Sequence, residues 1–209
     1  MKRVNGKIKL LLLLGLIGLG RTFTVSAQST KGYNLGDAIG DFRLKSVDGR
    51  TVSLADYRNQ KGIILAFTSN HCPFAKAYEN RLIALDRKFA AQGYPVLAIM
   101  PNDPSAYEED SFDNMKVRAQ SKAYPFAYVI DETQTTARAF GATRTPEFYV
   151  LKEAAGQFIL EYTGSIDDNP QDEASTQRRY VDEAVTSLLA GRPVKSPITK
   201  PIGCAINWK

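Results

Sequence analysis

Histidine and cysteine are scarce in this 209-residue chain, which has one histidine, His71, and two cysteines, Cys72 and Cys204. There is no Cys-x-x-Cys, and a lone histidine with two distant cysteines cannot assemble the ligand sets that hold zinc, so no metal site is expected. No cofactor is expected either. Apolar runs are short: the longest lies between Leu10 and Gly20, too few residues to span a bilayer comfortably. There is one tryptophan, Trp208, and no internal repeat is visible.

What precedes and follows that apolar run gives it a meaning. Lys2, Arg3, Lys7 and Lys9 come before it and Val25-Ser26-Ala27 after it, which is the charged, apolar, small-residue order of a secretory signal peptide. Cleavage is expected near Ala27, leaving an exported, periplasmic or secreted protein with no stable membrane insertion. The segment 1–27 carries five basic residues (Lys2, Arg3, Lys7, Lys9, Arg21) and no acidic one; 27 basic residues less these five leaves 22, against 22 acidic. The expected mature chain is therefore formally neutral, and the excess charge of +5 in the full sequence is no argument for a nucleic-acid partner. Three segments follow: the signal peptide 1–27, one domain over 28–191, and a proline-rich tail over 192–209 that carries Cys204 and is expected to run extended along the surface.

Within the domain, residues 42–47 and 51–54 alternate around Asp48-Gly49, which predicts a β-hairpin. The unbroken apolar run Ile63-Ile64-Leu65-Ala66-Phe67 predicts a strand covered on both faces. Phe74, Tyr78, Leu82, Leu85 and Phe89 then recur at helical spacing, with Pro73 suited to the first helical position and Gly93 as the stop. A second buried strand spans 95–100. The resulting β-α-β succession implies a right-handed crossover and an α/β layer fold. Further on, helices are predicted near 111–122, 133–140 and 177–190, and strands at 126–130, 147–151 and 158–162.

Cys72 stands where the buried strand hands over to this helix. There its sulfur lies near the unsatisfied N–H groups of a first helical turn, which favour thiolate over thiol. A small buried apolar residue is the competing reading, since free cysteines usually are that.

The order of elements, together with Phe67-Thr68-Ser69-Asn70-His71-Cys72-Pro73-Phe74-Ala75 and Thr145-Pro146, resembles the thioredoxin-like superfamily. The implied fold is α/β: a central mixed β-sheet flanked by helices, with an N-terminal β-hairpin extension. More closely, Asn70-His71-Cys72-Pro73-Phe74 and Gly203-Cys204-Ala205-Ile206-Asn207-Trp208 resemble the Asn-x-Cys-Pro-Phe and Gly-Cys-x-Ile-x-Trp motifs of the peroxiredoxin-like group of the alkyl hydroperoxide reductase/thiol-specific antioxidant (redoxin) superfamily. Asp167-Asp168-Asn169 and Leu189-Ala190-Gly191-Arg192-Pro193 also fit that group's later segments. The resemblance spans about residues 33 to 209 and implies that Cys72 is the nucleophile and that Pro146 follows a cis peptide bond. It also implies that Thr145, Pro146, His71, Pro73 and Phe74 meet the substrate.

Two departures bear on the chemistry. Ala75 stands where thioredoxin has its second cysteine, which excludes dithiol exchange within one helical turn. Leu65 stands where a peroxiredoxin has a proline seven residues before its cysteine, although Ser69 supplies the hydroxyl three residues before. The expected function is an exported thiol-disulfide oxidoreductase acting on protein or small-molecule disulfides with an external thiol reductant. The alternatives are a thiol peroxidase acting on peroxides and a non-enzymatic module that binds extended peptides. Cys204 has three readings: it resolves an intermediate on Cys72, it clips the tail permanently to the body, or it is an unpaired thiol used between molecules. Asp167-Asp168 reads as a turn or helix cap, His71 either as a charge beside the sulfur or as a solvent-exposed side chain, and Trp208 as cover for an apolar patch near Cys204.

Overall fold

The computed structural model of the chain describes residues 1–2 and 32–209. The expected signal peptide, apart from its first two residues, lies outside the described residues. In chain order the strands are β1 (Ala38–Ile39), β2 (Arg43–Ser46), β3 (Thr51–Ser53), β4 (Gly62–Phe67), β5 (Val96–Met100), β6 (Ala127–Ile130), β7 (Arg144–Thr145), β8 (Glu147–Ala154), β9 (Gln157–Gly164) and β10 (Cys204–Ala205). The α-helices are α1 (Pro73–Phe89), α2 (Phe112–Ser121), α3 (Thr135–Phe140) and α4 (Tyr180–Leu189).

Eight strands form one mixed sheet in the order β1-β9-β8-β4-β5-β6-β2-β3. Strands β4, β5 and β6 run parallel, as the β-α-β reading requires, while β8 runs antiparallel to β4 on its other side. The predicted hairpin is present as β2–β3 and closes one edge of the sheet. This is the thioredoxin-like α/β fold that the sequence motifs imply.

Every residue of β4 is buried, because each face of the sheet has its own apolar layer. Ile64 and Ala66 point into a core built with Tyr78, Leu82 and Phe89 of α1 and Val181 and Val185 of α4. Ile63, Leu65 and Phe67 point the other way, towards Ala137 and Phe140 of α3 and, from the far end of the chain, Ile206. Alternation of side chains along a strand explains the split, and the two-sided cover explains why β4 reads as a continuous apolar run. Gly62 is fixed by close packing: a Cβ there would fall 2.2 Å from Tyr94 Cε1 and 2.3 Å from the Leu151 carbonyl oxygen.

Helix α1 begins at Pro73, ends at Phe89 and passes through a 3-10 turn to Gly93, whose φ of 95° is left-handed, so both punctuation residues act as read. Two expectations are incomplete. Asp167 does shape a turn, its Oδ1 accepting from Asn169 N–H at 3.1 Å, but it is not only that: it is buried, and its Oδ2 accepts a 2.6 Å hydrogen bond from Arg81 Nη1, which also donates to the Asn169 carbonyl. The partners are 86 residues apart, so local pattern could not reveal the pair. Nor does the tail simply cross the surface. Thr199 donates its N–H to the Thr163 carbonyl, and Ile206 is only 4% exposed. Its residues dock into the body, with consequences at Cys72.

Candidate functional site

Cys72 is the N-cap residue of α1, with extended backbone (φ −64°, ψ 123°), and its side chain is fully buried. Its N–H donates to Ser69 Oγ at 3.2 Å, and Thr145 Oγ1 donates to the same hydroxyl at 3.3 Å. The start of a 17-residue helix therefore lies directly beyond the sulfur, and its partial positive charge favours an anion there. The Thr145 carbonyl oxygen, 3.1 Å from Cys72 Sγ, acts the other way, as an acceptor suited to a neutral thiol.

The sulfur is bonded to Cys204, with the two Cα atoms 6.0 Å apart and 132 residues between them in sequence. That separation lies in the ordinary disulfide range, so the bridge needs no displacement of backbone. Of the three readings of Cys204, the unpaired thiol is the one this arrangement does not match.

The loop before Cys72 is held by a buried carboxylate that the sequence did not single out. Asp110 Oδ1 accepts from the backbone N–H groups of Asn70 (2.7 Å) and His71 (3.1 Å). Its Oδ2 pairs with His71 Nδ1 at 2.6 Å and accepts from Asn102 Nδ2 at 2.7 Å. The His71 ring is also stacked on Tyr107, with centroids 3.8 Å apart and planes within 4°. His71 is therefore locked on both ring face and ring edge. The reading of it as a freely solvated side chain is corrected: its side chain is only 12% exposed. Asn70 is fixed from its other side, donating from Nδ2 to the Glu109 carbonyl and accepting from the Tyr128 hydroxyl at 3.0 Å. Burial pushes the Tyr128 phenol far above its usual range, so it remains a hydroxyl donor at any ordinary pH.

On the opposite side of the sulfur, β10 pairs antiparallel with β7, setting Cys204 opposite Thr145 and Ala205 opposite Arg144. The peptide bond between Thr145 and Pro146 is cis. Gly203 packs so tightly here that a Cβ would sit 2.4 Å from the Thr145 carbonyl oxygen, and its own carbonyl accepts from Arg144 Nη1 at 2.8 Å. Only glycine fits immediately before Cys204. Further along, Ile206 N–H donates to the Thr143 carbonyl and the Ile206 side chain enters the core beside Phe140. Trp208 is 36% exposed and carries the Arg138 guanidinium over its ring at 4.4 Å.

Of the residues expected to form the site, Cys72, Cys204, Thr145 and Pro146 come together at one sulfur pair, and His71, next to Cys72 in the chain, turns its ring to Asp110 and Tyr107. Pro73 is exposed and Phe74 half-buried at the first turn of α1, on the rim of that group. The residues missed are Asp110, Tyr107, Asn102 and Gln134. A signal existed for Asn102, which follows β5 at the carboxyl end of a parallel strand, where α/β folds place their sites. Asp110 closes an acidic trio, Glu108-Glu109-Asp110, that in sequence looks like a solvated turn.

A thioredoxin-like sheet with a cysteine at the start of the first crossover helix and a second cysteine bonded to it defines a redox-type thiol protein. Within that class the assignment is specific: a profile of the AhpC/TSA family matches residues 35–168. The chain belongs to the AhpC/TSA family. It is similar to a conserved protein from Geobacillus kaustophilus of known structure, with 36% sequence identity, a TM-score of 0.78, and cover of 84% of this chain and 93% of that one. Among curated proteins it is 28% identical over 145 residues to the thiol-disulfide oxidoreductase ResA of Geobacillus thermodenitrificans, covering 68% of this chain and 77% of that protein. It is 24% identical over 145 residues to the chloroplastic phospholipid hydroperoxide glutathione peroxidase 1 of Arabidopsis thaliana, covering 69% of this chain. The match spans 58% of that plant protein's length. These two relatives are by name a thiol-disulfide oxidoreductase and a phospholipid hydroperoxide glutathione peroxidase, and no helix among the described residues is long and apolar enough to cross a membrane.

Proposed function

We propose that the protein is an exported thiol-disulfide oxidoreductase in which Cys72 is the nucleophile and Cys204 the resolving cysteine. The observation that carries this reading is the bond between the helix-capping Cys72 and Cys204 on the β10 strand, with no other cysteine among the two the chain possesses. In the reaction, the Cys72 thiolate attacks one sulfur of a substrate disulfide; a mixed disulfide forms and one substrate thiolate leaves. Cys204 then attacks Cys72 Sγ, the second substrate thiol leaves, and the Cys72–Cys204 disulfide remains. An external thiol reductant returns both cysteines to thiols, taking up the oxidation. Thr145, whose carbonyl oxygen lies 3.1 Å from Cys72 Sγ, and Pro146 after it, together with His71, Pro73 and Phe74 flanking Cys72 in the chain, are read as the residues that meet the incoming disulfide.

Peroxide reduction is the second reading, supported by the family and by the plant relative's name. There Cys72 attacks the O–O bond to give a sulfenic acid and release water or an alcohol, and Cys204 condenses with it to give the same disulfide and a second water. Leu65, inside β4, replaces the proline that the resemblance asks for, and this favours disulfide exchange.

The test is Cys204→Ser. Incubated with a reducible disulfide protein such as insulin, this variant accumulates a mixed disulfide on Cys72, whereas the wild type releases reduced product and keeps none. Release by the variant at the wild-type rate would remove Cys204 from the mechanism. The same mass spectra read the mature N-terminus of protein recovered from a producing cell, expected at Gln28; an intact residue 1–27 segment would count against cleavage and export.

A further inference from the structure

The disulfide alone does not hold the end of the tail, because a second set of contacts reads its backbone. Gln134 is 1% exposed and sits at left-handed φ 60°, a conformation that aims its amide away from α3 and under the tail. Its Nε2 donates to the Asn207 carbonyl at 2.8 Å and to the Pro101 carbonyl at 2.8 Å, while its Oε1 accepts from Lys209 N–H at 2.8 Å. Asn102, 4% exposed, accepts from Asn207 N–H at 3.0 Å and with its other amide end donates to Asp110. Asp103 N–H also donates to the Asn207 carbonyl at 2.9 Å. Gln134 and Asn102 read the main-chain N–H and C=O of Asn207 and the N–H of Lys209, while the side chains of those two residues donate to the Asp103 and Glu132 carbonyls. Asp110 links this clamp to the Asn70–His71–Cys72 loop, so both cysteines are registered to one carboxylate.

We propose that Asn102 and Gln134 are positioning residues that raise the effective concentration of Cys204 at Cys72. This rests on the reading of Cys204 as the resolving thiol and extends it to what aims that thiol. In the folded reduced protein the freedom left to be lost is that of the tail beyond Thr199, which is anchored on Thr163, and a tail end held by buried amides in register before the bond forms lowers that cost. Buried side-chain amides suit the task, since leaving them unpaired is costly and the tail is the group that completes them.

The test is the equilibrium in which the reduced protein and one oxidised glutathione give the protein disulfide and two reduced glutathiones. It needs no substrate, so a protein that fails to turn over disulfide substrates still gives a value, and the two failures are distinguishable. Two variants are compared with the parent: Gln134→Asn, which tolerates the left-handed backbone but is one methylene too short to reach residues 207 and 209, and a chain ending at Ile206, which leaves the body untouched. Each is expected to lower the equilibrium constant about tenfold, which for this two-electron couple is ~30 mV. The reduced truncated chain is expected to melt below the reduced parent, because Gln134 and Asn102 lose their partners at residues 207 and 209, so the equilibrium is read at a temperature where both are fully folded. The proposal stands if both constants fall. It is overturned if either variant stays within twofold of the parent.

Discussion

Replacing Cys72 by serine is expected to reduce disulfide-exchange and peroxide-consuming activity by a factor on the order of 10³ or more, the size of loss that follows removal of a reacting nucleophile. A serine hydroxyl keeps the shape of the N-cap position and can accept from first-turn N–H groups, which the Cys72 sulfur does not, so the fold should survive the change. The reason for the loss is chemical. Only a thiolate attacks sulfur or peroxide oxygen at neutral pH, and Ala75 offers no second sulfur within the helical turn. Retained turnover in Cys72→Ser, measured by insulin reduction and by peroxide consumption with a thiol donor, would remove Cys72 as the nucleophile; no turnover in the parent, with peptide affinity unchanged in Cys72→Ser, would leave the fold as a scaffold for binding.

The second large effect concerns stability and the loop geometry together. Asp110→Ala takes a fully buried carboxylate away from four partners: the N–H groups of Asn70 and His71, the His71 ring and the Asn102 amide. Each buried group left without a partner costs about 1–3 kcal/mol, so a loss of about 3–5 kcal/mol is expected after the loop relaxes. Urea unfolding of the oxidised protein reads this directly. A loss below ~1 kcal/mol would show that the Asn70–His71–Cys72 loop is held by its own turn and by Tyr128.

Much of this was legible in the sequence, for identifiable reasons. The β4 run, the hairpin around Asp48-Gly49 and the span of α1 were readable because local periodicity, a proline at the first helical turn and a left-handed glycine each act within a few residues. Cys72 was readable for the same reason, since its position depends only on the strand before it and the helix after it. What was not legible is long-range. Arg81 with Asp167, Asp110 with His71, and Gln134 with Lys209 join residues 86, 39 and 75 positions apart, and each pairs groups that in sequence resemble ordinary surface polar residues. The tail shows the limit most clearly. Its prolines argue against helix, but nothing local distinguishes a segment lying on the surface from one bonded to Cys72 and paired with β7.

The central claim is that the first turn of α1 makes Cys72 a thiolate near neutral pH once Cys204 no longer covers it. The direct measurement is the rate of Cys72 alkylation by iodoacetamide as a function of pH in the Cys204→Ser protein. The account predicts a rise centred below about pH 7.5, within the range of helix-terminal catalytic cysteines. A rise centred at about 8.5 or above, where an unperturbed thiol ionises, would contradict it.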